Sequence, residues 1–359
     1  MKRLAVQDLN HILEYGRDAW PALSGARIFM TGGTGFVGKW LVESLLWAND
    51  ELNLHASVVL LTRNPERFRS ESPHLASHPA VSLLAGDART FEFPDGDFPF
   101  LIHAATERSF EPNSEQPMAA FDRDLEGTRR VLDFARSRQT RRFLFTSSGA
   151  VYGKQPSSMT HMAEDYAGAP SPVDTGAAYG QAKRASEFAC CMYARQYGFA
   201  ALIARLFAFV GPHLPLEANF AVGNFIRDAL QGGPVRVKGD GTPYRSYLYA
   251  ADLAVWLWTI LVRGDSARPY NVGSGEALSI MDLAHVVADA NDRRLGVEIA
   301  KAAVPGAPPE RYVPGVERAT GELGLRVLTG LSEGVRKTFE WHAGDFEEQS
   351  PCTSFLTHI

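Results

Sequence analysis

Short apolar runs recur along the first half of this chain, and segments with helical periodicity separate them. Ala26-Arg27-Ile28-Phe29-Met30 is the first run, and Lys39 to Ala48 follows it with a helical pattern. Ser57-Val58-Val59-Leu60-Leu61, Val81-Ser82-Leu83-Leu84-Ala85-Gly86-Asp87 and Phe100-Leu101-Ile102-His103-Ala104-Ala105 read as the second, third and fourth strands. Phe121 to Ser137 is helical in period, Arg142-Phe143-Leu144-Phe145-Thr146 is a strand, Ala178 to Tyr197 is a long helix, and Ala201 to Leu206 is a strand. These strands are apolar almost throughout, so both faces are covered. Strands of that kind alternating with helices predict an α/β fold with a doubly wound parallel sheet.

After Arg205 the pattern loosens. Gly211-Pro212, Gly232-Gly233-Pro234 and Gly239-Asp240-Gly241 punctuate short elements, and Pro305 to Pro309 reads as loop. Ala250 to Val262 is a helix that returns to the main sheet. Leu9 to Trp20, ahead of the first strand, has a helical pattern but carries no recognisable chemistry. The tail beyond Gly344 is polar and is expected to fray.

A chain of 359 residues can bury a large core and hold two lobes. Its net charge of −5 gives no basis for binding nucleic acid or an anionic membrane. The N-terminus lacks the apolar stretch of a signal peptide, and no run has the length of a membrane span. The three cysteines are Cys190, Cys191 and Cys352. Adjacent cysteines make a poor disulfide, and no spacing resembles a metal site. Reduced thiols in a cytoplasmic protein without a metal are the expectation.

The stretch Thr31-Gly32-Gly33-Thr34-Gly35-Phe36-Val37-Gly38 joins the first strand to the helix after it. Gly32 permits a sharp turn, Gly35 permits a pyrophosphate to approach the backbone, and Gly38 permits close packing of helix on strand. The helix N-terminus, with Phe36 and Val37 in its first turn, offers N–H groups to phosphates. A second motif lies far downstream: Tyr179-Gly180-Gln181-Ala182-Lys183. With both motifs in this order, the chain resembles the extended short-chain dehydrogenase/reductases, and within them the sugar-nucleotide epimerases, dehydratases and reductases. The resemblance covers residues 25–330. It implies a Rossmann dinucleotide-binding domain of residues 25–207 plus 248–264. It also implies a smaller, discontinuous substrate lobe of residues 208–247 and 265–345, with residues 1–24 as an N-terminal extension.

A nicotinamide dinucleotide needs a ribose reader at the end of the second strand, where NAD sites usually carry an acid. This chain has Thr62 and Arg63 there, and a guanidinium would attract a 2′-phosphate. NADP(H) is therefore expected over NAD(H), with Arg67 and Arg69 as other cations in reach. Under the resemblance, Asp87 and Ala88 lie at the adenine, and Ala104 and Ala105 lie beside the pyrophosphate and ribose. Asp87 could equally cap the segment after it. His103 reads as a hydrogen-bonded core residue.

Proton transfer at a sugar oxygen suits a tyrosine whose pKa is lowered by a nearby cation. Tyr179 and Lys183, four apart on a helix, share one face. In Thr146-Ser147-Ser148-Gly149-Ala150-Val151-Tyr152-Gly153, the resemblance aligns Ser148 with the hydroxyl that bonds the reacting oxygen, and Ser147 is the fallback. The 4,6-dehydratases carry an Asp-Glu pair at the positions of Gly149 and Ala150. Neither residue here can move a proton, and Glu164 and Asp165 read as solvated loop. Dehydration is thereby disfavoured. A 4-ketoreductase of a nucleotide-diphosphate 4-keto-6-deoxyhexose is expected, with a hexose 4-epimerase as the alternative. A non-catalytic dinucleotide sensor would not need the Ser, Tyr and Lys set.

On the substrate side the resemblance assigns Arg245 and Arg311 to the diphosphate, and Asn219, Phe220, Asn224 and Phe225 to the base pocket. Thr106 and Ser148, with Glu107 and Arg108, border the sugar. The chain departs from the family at Ala208, where Asn often stands, and at Asp124 of Asp124-Leu125-Glu126-Gly127-Thr128, where the family also has Asn. A homodimer through Met118 to Ser137 and Ala178 to Tyr197 is implied, with Phe188, Met192 and Leu132 serving either contact or core.

Overall fold

The computed structural model describes residues 2–106, 117–218, 220–290 and 295–349. Seven strands form one parallel sheet: β1 (Arg27–Thr31), β2 (Ser57–Thr62), β3 (Val81–Ala85), β4 (Phe100–His103), β5 (Arg142–Ser148), β6 (Ala200–Leu206) and β7 (Pro269–Val272). Their order across the sheet is β7-β6-β5-β4-β1-β2-β3. Every pairing is parallel, with Met30 facing Leu60 on one side and Ile102 on the other. The order reverses between β1 and β4, and a crevice outside the carboxyl ends of a doubly wound sheet lies at such a reversal.

Alternate residues of each strand enter different cores, as a period of two requires. Ile28, Met30, Val58 and Leu60 join the larger apolar cluster, whereas Phe29, Val59 and Leu61 join a smaller one on the opposite face. That smaller cluster is aromatic. Phe29, Phe91, Phe98 and Phe134 meet there, with the Phe29 and Phe134 ring centres 4.5 Å apart.

The helices that matter for the site are α2 (Phe36–Leu52), α3 (Pro117–Ser137) and α4 (Ala178–Tyr197). Helices α3 and α4 pack side by side. Across the other face runs α5 (Ala250–Arg263), which buries both Trp256 and Trp258.

The lead segment is part of the core. Its helix α1 (Val6–Tyr15) lies against α5, and Trp20 packs tilted against Trp258 with ring centres 5.8 Å apart. Buried Asp8 accepts hydrogen bonds from the Tyr249 hydroxyl and from the ammonium of Lys337 on α6 (Leu331–Gln349), each at 2.7 Å. His11 meets Asp252 at 2.7 Å.

Three short strands form a separate small sheet. Tyr244–Arg245 pairs in parallel with Arg311–Tyr312 and antiparallel with Leu278–Ser279. Cys190 is buried, Cys191 is half-buried, and both are free thiols. Cys352 lies outside the described residues. Among the described residues no helix is long and apolar enough to cross a membrane, and no group of side chains could hold a metal ion.

Candidate active site

The glycine turn leaves β1 at the crevice. Gly32 has φ +74°, and a β-carbon there would lie 2.4 Å from the Ala104 carbonyl carbon and 2.6 Å from the Ala105 nitrogen. A β-carbon on Gly38 would lie 2.2 Å from the Gly32 oxygen. The chain's own packing therefore demands both glycines. Gly35 is different, because a β-carbon there would meet only the Gly32 oxygen, at 3.4 Å. The space before it is open. No side chain caps the N-terminus of α2, which begins at the half-buried Phe36 and Val37. Open backbone at a helix N-terminus fits a pyrophosphate, so the residues present fit a dinucleotide.

At the end of β2, Thr62 is half-buried and Arg63 is exposed. Asn64 caps the short helix Pro65–Glu71 by accepting from the Arg67 N–H. Arg67 and Arg69 are engaged in ion pairs along that helix, with Glu71 and Glu66. Asp87 caps its own segment. Its carboxylate accepts from the Arg89 backbone at 2.9 Å and from the Arg89 guanidinium at 2.8 Å. Those bonds, helped by the charge of Arg63, hold Asp87 below the usual carboxylate range. Ala88 and Ala104–Ala105 are half-buried.

His103 is a core residue. The Thr128 hydroxyl donates to the Asp124 carbonyl at 2.8 Å, so at 3.1 Å it accepts from His103 Nε2–H. His103 Nδ1 is then the acceptor for the Thr31 hydroxyl at 2.7 Å. Burial, with Lys183 nearby, pushes the imidazole down to about 3. It is neutral and fully bonded.

The Ser147 hydroxyl donates at 2.5 Å to buried Glu187, which pairs with Arg205 at 2.7 Å. Ser147 thus belongs to a structural ion pair, which removes the fallback. The Ser148 hydroxyl accepts from the Ala150 N–H at 3.1 Å and lies in hydrogen-bonding reach of both Tyr179 and Tyr312. Lys183 is buried and donates to the Thr146 carbonyl at 3.1 Å. Its ammonium sits 5.8 Å from the Tyr179 ring centre. Burial lowers the Lys183 pKa, and Asp124 opposes that shift.

Tyr179 departs from expectation. Burial pushes its phenol up to about 12 despite hydrogen bonds with Ser148 and Thr106, and the Asp124 carboxylate adds to the rise. Thr106 donates to that same carboxylate at 3.3 Å.

Sequence reasoning missed Tyr312. Its ring packs on Phe207 with centres 4.7 Å apart, and burial pushes its phenol well above the ordinary range. A β-carbon on Gly149 would lie 2.6 Å from the Tyr312 hydroxyl and 2.7 Å from the Phe207 ring. No side chain, acidic or otherwise, fits at position 149 beside them. The adjoining Arg311 was the available signal in the sequence, but pairing with Tyr244–Arg245 is what aims the tyrosine. The register sets Arg245 beside Tyr312 and Arg311 beside Tyr244. Partners in register share a face and neighbours do not. Arg245 is therefore brought to the Tyr312 side, where its guanidinium donates to the Tyr244 carbonyl at 2.8 Å. Arg311 stacks over the Tyr244 ring at 4.3 Å on the other side.

One loop expectation is corrected. Glu164 is half-buried and accepts from the Asn271 N–H at 2.9 Å, and burial raises its pKa. Asp165 is a solvated loop residue, as expected, and pairs with Arg318 at 2.5 Å. Phe225 is a core residue and Phe220 is exposed. Asn219, Glu107 and Arg108 lie outside the described residues.

The sequence matches the family described as NAD dependent epimerase/dehydratase over residues 28–273. The chain belongs to this family. UDP-glucuronic acid decarboxylase 1 of Arabidopsis thaliana is 30% identical over 311 residues, covering 86% of this chain and 68% of the relative. UDP-glucuronic acid decarboxylase 1 of Danio rerio is 28% identical, covering 90% and 74%. Among solved structures, a UDP-galactose 4-epimerase aligns with TM-score 0.70 at 26% identity, covering 89% of this chain and 99% of that one. The UDP-glucose 4-epimerase of Thermotoga maritima, solved with UDP-glucose, aligns at TM-score 0.74 and 20% identity over 89% and 99% of the two chains, a likeness of fold. The glycine turn and the Ser148, Tyr179 and Lys183 group of this member of the NAD dependent epimerase/dehydratase family all lie within the matched residues.

Proposed function

We propose that this chain transfers hydride at C4 of a UDP-hexose, and that its preferred reaction is reduction of a 4-keto-6-deoxyhexose. The observation that supports this reading best is the Ser148 hydroxyl within reach of two phenols, Tyr179 and Tyr312, with no acid at Gly149 or Ala150. Such a site can hold a sugar oxygen and move one proton, and among the described residues its serine turn carries no acid for expelling water. A bound nicotinamide dinucleotide would supply or accept the hydride. Ser148 orients the reacting oxygen. Tyr179, protonated well above neutral pH, donates to it. Lys183, buried behind the tyrosine, holds the ribose side.

UDP is the nucleotide carried by the named relatives and neighbours. Arg245, on the Tyr312 side of the small sheet, is our choice for the diphosphate, and residues 208–247 and 265–345 form the lobe that presents it. We take the cofactor as NAD(H), in line with the family's description and with NAD in neighbouring structures. The NADP(H) expectation rested on Arg63, which is exposed and whose charge reaches Asp87.

The second reading is UDP-hexose 4-epimerisation, favoured by the likeness to a UDP-galactose 4-epimerase along the whole length of that chain. A homodimer is proposed through α3 and α4, where Phe188 and Met192 are exposed while Leu132 is core.

Nuclear magnetic resonance of UDP-sugar mixtures separates these readings. Consumption of UDP-4-keto-6-deoxyglucose only with added reduced cofactor supports the reductase. Interconversion of UDP-glucose and UDP-galactose without added cofactor supports the epimerase. Release of carbon dioxide from UDP-glucuronate alone would overturn both.

A further inference from the structure

Asp124 stands where the resemblance places an amide, and its surroundings show what the change of charge does. It lies on α3, which packs against the tyrosine-bearing α4. Its backbone carbonyl is fixed by the Thr128 hydroxyl at 2.8 Å, and its carboxylate receives the Thr106 hydroxyl at 3.3 Å. Thr106 in turn reaches Tyr179. The carboxylate is thus one hydroxyl away from the phenol.

Among the described residues, the charged and titratable groups around this pair come from α4, the small sheet and β4. Lys183 rises from α4, Tyr312 and Arg245 from the small sheet, and His103, neutral, from β4. Glu187 and Cys190 lie behind Lys183. Against the buried Lys183 side chain, a carboxylate in front of the tyrosine opposes phenolate formation, because like charges raise each other's cost of ionising. An amide would leave the ammonium unopposed.

We propose that Asp124, acting through Thr106, is a positioning residue that keeps Tyr179 a proton donor and so biases the site toward reduction. The inference rests on Tyr179 being the group that moves the proton in the proposed reaction. In that direction hydride joins C4 while the Tyr179 O–H bond breaks and its proton joins O4. The carbonyl becomes a secondary alcohol, and the phenolate regains a proton from water. A site built for alcohol oxidation would favour the phenolate instead.

The test is a titration of the full chain without substrate or cofactor. Tyrosine carrying carbon-13 at Cζ is incorporated, and the Tyr179 resonance is assigned by its loss in Tyr179→Phe. Wild type, Asp124→Asn and Asp124→Glu are followed from neutral to alkaline pH. Tyr179 of Asp124→Asn is expected to ionise about one pH unit below wild type, while Asp124→Glu, which keeps the charge, follows wild type. Asp124→Ser, also uncharged, repeats the test with a smaller side chain. Superimposable curves for wild type and the uncharged variants would overturn the proposal, as would an equal shift in Asp124→Glu. Because no turnover is read, an inactive protein in the sugar assays would sink the reductase reading without touching this result.

Discussion

The hydroxyl of Tyr312 lies 2.6 Å from the point where a β-carbon on Gly149 would stand. The two positions are therefore one decision: a phenol from the small sheet fills the place where a side chain from the serine turn would project. Gly149→Ala must push Tyr312 and Phe207 aside, and overpacking of this kind costs about 1–3 kcal/mol. Denaturant unfolding should show that loss for Gly149→Ala and only part of it recovered in the double variant Gly149→Ala with Tyr312→Phe, which removes the clashing oxygen but leaves the Phe207 ring 2.7 Å away.

The glycines of the nucleotide turn should separate folding from binding. Gly38→Ala brings a β-carbon to 2.2 Å from the Gly32 oxygen and should destabilise the fold. Gly35→Ala meets nothing in the protein closer than 3.4 Å, so its melting temperature should match wild type. Calorimetric titration with NAD should nevertheless show binding lost in Gly35→Ala. Retained affinity would remove the pyrophosphate from that place.

Tyr179→Phe keeps the ring and deletes the proton. Turnover should fall by about 10²–10⁴-fold, with dinucleotide affinity unchanged. A variant that turned over at the wild-type rate would exclude Tyr179 as the proton donor.

Stability should decline on mild acidification, and His213 should account for part of the slope. Burial, followed by the charges of Lys39, His74 and His342, depresses His213 to about 3, from an ordinary value of 6.5. The unfolded chain therefore binds a proton that the folded chain does not between those values, so stability is full above pH 6.5 and lost as pH falls toward 3. His213 also has φ +69°, a conformation asparagine tolerates. Unfolding of His213→Asn between pH 4 and 6 should show a slope shallower by about 1.4 kcal/mol per pH unit.

The lead segment should prove essential to folding. Asp8 is buried and bonded to Tyr249 and Lys337, so Asp8→Ala takes the acceptor from the buried Tyr249 hydroxyl and one of two carboxylates from Lys337, at a cost of about 1–3 kcal/mol. Chemical denaturation measures this directly, and an unchanged midpoint would mean that the segment only decorates the surface.

The parallel sheet and the glycine turn were legible in the sequence because both arise from local patterns: apolar runs, a helical period and a strand-turn-helix. The Tyr179 and Lys183 pair was legible for the same reason. Tyr312 was not, since a two-residue strand far along the chain has no periodic signature, and only its pairing with Tyr244–Arg245 aims it at Ser148. The lead segment hid its role because its partners, Tyr249, Asp252 and Lys337, are distant in sequence. Thr62 and Arg63 were placed correctly at the end of β2, but a side chain's exposure and its charged neighbours do not show in a motif.

The central claim is hydride transfer at C4 with Tyr179 as the proton donor, and one isotope experiment reads it. UDP-4-keto-6-deoxyglucose is incubated with NADH or NADPH deuterated at the nicotinamide C4, using wild type and Tyr179→Phe. The account predicts deuterium at C4 of the sugar with wild type, faster from NADH, and incorporation slower by about 10²–10⁴-fold with Tyr179→Phe. A keto sugar that persists unchanged with wild type and both cofactors would contradict it.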